Sequence, residues 1–78
     1  SVIENTTGDL FLQCVGTNAD DIFIKAKDDI YLQPANGEKG IEILGDGAVE
    51  LYYDNSKKFE TTGGGAKVTG NLKLWRWK

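Results

Sequence analysis

The stretch DDIFIKAKDDIYLQP, residues 20–34, writes one phrase twice. Asp21-Ile22-Phe23-Ile24-Lys25 and Asp29-Ile30-Tyr31-Leu32-Gln33 both read acid, aliphatic, aromatic, aliphatic, long polar, and Asp9-Leu10-Phe11-Leu12-Gln13 reads the same way before them. Two looser copies follow, Gly40-Ile41-Glu42-Ile43-Leu44 and Ala48-Val49-Glu50-Leu51-Tyr52, with a carboxylate where the aromatic stood. The copies start at 9, 21, 29, 40 and 48, so the steps are 12, 8, 11 and 8 residues. That is too short for a helical repeat or a propeller blade and fits one short strand plus one turn.

Within each copy the aliphatics alternate with another residue type, the period-2 mark of a strand with two different faces. One face is constant: Leu10 and Leu12, Ile22 and Ile24, Ile30 and Leu32, Ile41 and Ile43, Val49 and Leu51. These ten aliphatics are the expected core. The other face passes from Phe11, Phe23 and Tyr31 to Glu42 and Glu50, and the carboxylates mark it as the outward side. Asp20, Asp28, Asn36-Gly37, Gly45-Asp46-Gly47 and Asp54-Asn55 supply turn chemistry between the strands, and little room remains for a helix of three turns. The fold class expected is all-β.

Length limits what such strands can do alone. The chain has 78 residues, one cysteine and no histidine, so neither an internal disulfide nor a histidine-based zinc site can staple it. Size scaling gives about 7,800 Å² buried for a compact globule of this mass; with roughly 60% of it apolar, the gain is on the order of 115 kcal/mol. Ordering the chain at about 1.5 kcal/mol per residue costs on the order of 117 kcal/mol. A monomer would sit near zero, and oligomerisation is the remaining source of stability. A single-chain β-solenoid needs longer coils than these. Three chains can enclose an interior with short strands, each supplying one side of a triangular prism, the aliphatic row pointing at a shared axis and the strand edges paired between chains. The expected architecture is an intertwined homotrimeric triple-stranded β-helix or β-prism. Short-strand repeats would occupy residues 1–47, and a hairpin or corner segment with a C-terminal strand residues 48–78, where the prism has room to widen into a small β domain.

The string ELYYDNSKKFETT, residues 50–62, followed by KVTGNL, residues 67–72, resembles a segment that recurs in tail-fibre and tail-spike proteins of bacteriophages, especially marine phages that infect cyanobacteria. DDIFIKAKDDIYLQP resembles the repeats that precede it there. Together these cover roughly residues 8–72. The resemblance implies a homotrimeric, rigid fibre shaft of the virion, made in the host cytoplasm, joined to adjoining fibre segments and supporting contact with a host surface glycan or receptor. The chain departs from the family at Gly63-Gly64-Gly65-Ala66, where three glycines imply a looser turn.

The remaining motifs add little chemistry. NLKLWRWK, residues 71–78, continues the inward row with Leu72 and Leu74 and sets Trp75 and Trp77 on the other side, either as sugar-stacking aromatics or as a cap over the end of the core. The pairs Asp20-Asp21 and Asp28-Asp29 suit turn capping better than calcium, whose β-roll loops need a glycine-rich pattern that is absent. Histidine-held metals of the kind some phage spikes carry are excluded. Cys14 has no basic partner to activate it and reads as a passive residue. Glu42, Glu50, Glu60 and Asp46 offer carboxylates for glycoside chemistry, but nothing in the sequence marks two of them as a facing pair. No catalytic residue, cofactor or metal is therefore expected, and the chain is read as no enzyme. Nine basic against twelve acidic residues give a net charge of −3, which disfavours nucleic acid. No apolar run approaches membrane-spanning length and no charged-then-apolar leader stands at the start, so no membrane insertion is expected. Ser1 and the absence of methionine lead to the expectation of a piece of a longer chain. The alternatives kept beside the fibre shaft are a membrane-piercing spike segment, which shares the fold, and a polysaccharide-binding or polysaccharide-cleaving β-helix.

Overall fold

The computed structural model describes residues 1–74. Its ordered element is one antiparallel sheet of five strands: β1 (Ile30–Leu32), β2 (Ile41–Ile43), β3 (Val49–Tyr53), β4 (Ser56–Thr62) and β5 (Gly65–Val68). They lie in chain order, each hydrogen-bonded to the next, and among the described residues there is no helix. The all-β reading holds, and the strands begin at the third copy of the repeat.

The turns follow their residues. Asp54 and Asn55 join β3 to β4 with φ of 49° and 67°, the left-handed pair of a two-residue hairpin turn whose twist matches that of the strands. Between β2 and β3, Asp46 takes φ 55°, and Leu44 closes the turn by donating from its N–H to Ala48 O and accepting from Gly47 N–H, each at 3.0 Å. Gly63-Gly64 makes a two-residue turn between the paired Thr62 and Gly65, tighter than the loose link that three glycines suggested. Contact with backbone requires glycine at two places: a Cβ on Gly45 would lie 2.5 Å from Asp28 O, where the chain entering β1 passes the β2–β3 turn, and one on Gly40 would lie 2.8 Å from Leu32 O.

Residues 1–29 form no strand in the single chain, although Asp9–Gln13 and Asp21–Lys25 repeat the phrase of β1. A strand exists only with a neighbour for its N–H and C=O groups, and the chain bends at Lys27-Asp28, just before β1. Leu10, Leu12, Ile22 and Ile24 are consequently exposed, as are Leu72 and Leu74 beyond β5. β2 and β3, on either side of the turn that holds residues 47 and 48, belong to the same sheet.

No described residue reaches full burial. The single chain exposes 7515 Å², against about 4,700 Å² for a compact protein of its mass. Its radius of gyration is 16.5 Å, where a compact chain of this length would have about 11.5 Å.

Candidate functional site

The register sorts the sheet into two unlike faces. Ile30 stands opposite Ile43, and Ile43 opposite Val49; Leu32 stands opposite Ile41, Ile41 opposite Leu51, Leu51 opposite Phe59, and Phe59 opposite Val68. One side is thus a continuous aliphatic and aromatic surface across all five strands. It carries six of the ten expected core residues, from Ile30 to Leu51, plus Phe59 and Val68. This side is covered only in part: Leu32 is 49% exposed, Leu51 40% and Ile43 38%, while Ile30, Ile41, Val49, Phe59 and Val68 are half-buried.

The other side is shielded at its glutamates. Tyr31, Glu42, Glu50, Glu60 and Lys67 follow one another across the strands. The sequence marked the carboxylates as outward and solvated, yet the Glu42 and Glu50 side chains are each only 13% exposed. Three carboxylates directly opposite one another repel, and the chain answers with lysines. Lys57 Nζ sits 3.3 Å from Glu50 Oε2 and 3.2 Å from Glu60 Oε1, and Lys39 Nζ lies 4.0 Å from Glu42 Oε2 and 5.4 Å from the centre of the Tyr52 ring. Tyr52 donates its hydroxyl proton to Glu50 Oε1 at 2.7 Å.

A β-bulge makes this arrangement possible. Leu51 pairs with Phe59 but Tyr52 pairs with Lys57, so Lys58 is an extra residue in β4. Lys57 and Glu60 are three apart and would point to opposite sides of a regular strand; the inserted residue brings both to one side. The titration behaviour follows the contacts. The hydroxyl of Tyr52 first, with Lys57 assisting, holds the Glu50 carboxyl below its ordinary range. The same hydrogen bond, with desolvation, pushes the Tyr52 phenol up to about 12. Glu60 and then Glu50 raise Lys57.

Smaller features hold the frame. Asn55 Oδ1 accepts from the Lys39 N–H at 2.9 Å and ties the β3–β4 turn to the β1–β2 loop. Asp29, one of the paired acids, caps a turn through Oδ1, which accepts from Gly45 N–H at 2.8 Å, and through Oδ2, which accepts from the Tyr31 hydroxyl at 3.0 Å. Asp29 thereby raises the Tyr31 phenol. An open groove of about 410 Å³ runs beside the β1–β2 loop, lined by Tyr31, Leu32, Gln33, Pro34, Gly40 and Ile41. Cys14 is exposed. Trp75 and Trp77 lie outside the described residues. Among the described residues no group of three or more acids, cysteines or histidines is placed to hold a metal ion, and no helix is long and apolar enough to cross a membrane.

The sequence missed the glutamate row because opposite partners depend on register, which loops of unequal length conceal. The one available signal was a carboxylate at the same place in two consecutive repeats, Glu42 and Glu50. In comparisons with known proteins, no family model, no curated protein and no solved structure matches this chain.

Proposed function

We propose that this chain is a structural segment of a bacteriophage tail fibre, a rigid homotrimeric shaft that supports or presents host attachment. One observation carries the reading: Leu32, Ile43 and Leu51 stand exposed on the aliphatic side of the sheet while Glu42 and Glu50 on the other side are shielded. A sheet that ties its glutamates with lysines and leaves Leu32, Ile43 and Leu51 in the open has a surface to be covered. The roughly 2,800 Å² by which the chain exceeds the surface of a compact globule measures how much association could remove.

Strand lengths suit three copies. A five-residue strand such as β3 is about 17 Å long, and an equilateral triangle with that side has an inscribed radius of about 5 Å, half the roughly 10 Å spacing of packed sheets. The strands run 3, 3, 5, 7 and 4 residues, so such a prism would be widest at β4 and narrower again at β5. Repeats that find no neighbour in their own chain, Asp9–Gln13 and Asp21–Lys25, would pair across chains. The resemblance of residues 50–62 and 67–72 to phage fibre segments supplies the biological setting.

The test is the mass in solution by light scattering across a dilution series, with circular dichroism to follow β structure. A dilution-resistant species of about three times 8.6 kDa is expected. A folded monomer with the same β signal would overturn the proposal.

A further inference from the structure

The β1–β2 loop, residues 33–40, contains Asn36-Gly37 in an exposed turn. From its geometry we infer that Asn36 is a site of spontaneous covalent modification, at which the chain converts its own asparagine to aspartate and isoaspartate. The chemistry needs a backbone amide nitrogen that can reach the side-chain carbonyl carbon of the residue before it. Glycine as the following residue offers the least obstruction, because it has no Cβ to block the approach and little restriction of the backbone.

The loop leaves the nucleophile unengaged. Its hydrogen bonds run from Glu38 N–H to Ala35 O at 3.0 Å and from Gly40 N–H to Leu32 O at 3.1 Å, and omit the Gly37 N–H. Gly37 has φ +77° and nothing within 4 Å of where a side chain would stand, so the space beside it is open. The Asn36 side chain is exposed and takes part in none of the side-chain hydrogen bonds among the described residues.

The other candidates are held. Asp46-Gly47 could form the same ring, but the Gly47 N–H is bonded to Leu44 O at 3.0 Å. Asn55 is fixed through Oδ1 by the Lys39 N–H and precedes Ser56. Asn5 is held at both ends of its amide, donating to Asp9 O at 2.7 Å and accepting from Thr7 N–H at 3.2 Å. Asn18 and Asn71 precede Ala19 and Leu72, whose side chains obstruct the approach.

The atoms balance with water as the only co-reactant. The Gly37 nitrogen, giving its proton to a base in solution, bonds to Asn36 Cγ; the Cγ–Nδ2 bond breaks and Nδ2 leaves as ammonia with a proton from solvent. The resulting five-membered succinimide is opened by water. Attack at the Cγ carbonyl gives aspartate, and attack at the α-carbonyl gives isoaspartate, in which the main chain runs through one extra methylene. Nothing is oxidised or reduced. Each event takes the chain from −3 to −4. The isoaspartate form also lengthens the loop just before Lys39 and Gly40, whose backbone groups meet Asn55 Oδ1, Leu32 O and the Tyr52 N–H.

The experiment holds the purified full chain at mildly alkaline pH with moderate warming. Samples are mapped by proteolysis and mass spectrometry, with isoaspartate read by enzymatic methyl transfer. A synthetic Pro-Ala-Asn-Gly-Glu peptide in the same buffer serves as the clock. Asn36 should react within a few-fold of the peptide and at least about tenfold faster than Asn55, a barrier difference of about 1.4 kcal/mol. Asn36→Ser, which keeps a turn-forming residue, should abolish the dominant product and leave the fold's β signal unchanged; Gly37→Ala should slow it strongly. An Asn36 that stays intact while the peptide converts would overturn the inference, as would first modification at Asn55 or Asp46.

Discussion

Ile43→Asp puts the proposed assembly to its most direct test. Ile43 lies in mid-sheet between Ile30 and Val49, on the aliphatic side, and 38% of it remains exposed in the single chain. Complete burial of such a side chain contributes about 1.5–3 kcal/mol, so covering the remaining fraction adds about 0.6–1.1 kcal/mol per chain and about 2–3 kcal/mol per trimer. Aspartate forfeits that and places three carboxylates at one level around the axis. At about 7 Å separation and an effective dielectric near 20, each pair repels by about 2.4 kcal/mol, or about 7 kcal/mol for the three. The sum, about 9–10 kcal/mol, exceeds six powers of ten in the association constant. Light scattering should therefore find only monomer at concentrations where the proposal expects the unsubstituted chain to be trimeric. Glu42→Ala is the control, since Glu42 is the next residue in β2 and faces the other way; its trimer should survive. The reasoning fails if Ile43→Asp keeps the trimer mass, or if Glu42→Ala dissociates it to the same extent.

Three more predictions test other parts of the molecule. Ile24→Asp should abolish trimer and fold together while Phe23→Asp is tolerated, and equal sedimentation behaviour of the two would refute the assignment of faces in the repeat ahead of β1. Asn55→Ala removes the bond to Lys39 N–H and strains a position at φ 67°, so chemical denaturation should report a loss of about 1–3 kcal/mol; Asn55→Gly, which tolerates that backbone, should lose less. The glutamate row makes stability pH-dependent on both sides. Glu50 titrates below its ordinary 4.5, so its contribution is present above that value and disappears as pH falls further. Tyr52, raised to about 12, contributes fully below 10.0 and loses that contribution as pH climbs through about 12, with Lys57 adding to the alkaline decline above 10.5. Melting temperatures across pH should form a plateau between these limits; Glu50→Gln should flatten the acid side and Tyr52→Phe part of the alkaline side, and unchanged slopes would count against the network.

The part of the fold that was legible rests on period-2 alternation. Ile30 and Leu32, Ile41 and Ile43, and Val49 and Leu51 share a side because residues two apart in a strand must, and Asp54-Asn55 turned the chain because both tolerate left-handed backbone. What stayed hidden depends on counting across a partner. Lys58 looks like any strand residue until its neighbours in β3 are known, and only then does it become the bulge that sends Lys57 between Glu50 and Glu60. The shielding of Glu42 was missed for the same reason, since alternation says which residues share a face but not which of two faces is covered. The first two repeats illustrate a different limit. Asp9–Gln13 and Asp21–Lys25 have the composition of strands, but a strand is a property of a pair, and one chain provides them no second member.

Five is an odd number of strands, so the chain leaves β5 travelling in the direction in which it entered β1. A segment built this way can be followed by another without turning the polypeptide round. If the strands lie across the long axis of a rod, the 39 residues from β1 to β5 advance it by about 24 Å, whereas the same length fully extended would reach about 130 Å. Each ångström of reach then consumes roughly five times the polypeptide of an extended thread, laid down as cross-ties at every level. Such a rod behaves as a beam, resisting bending and buckling under a load along its length.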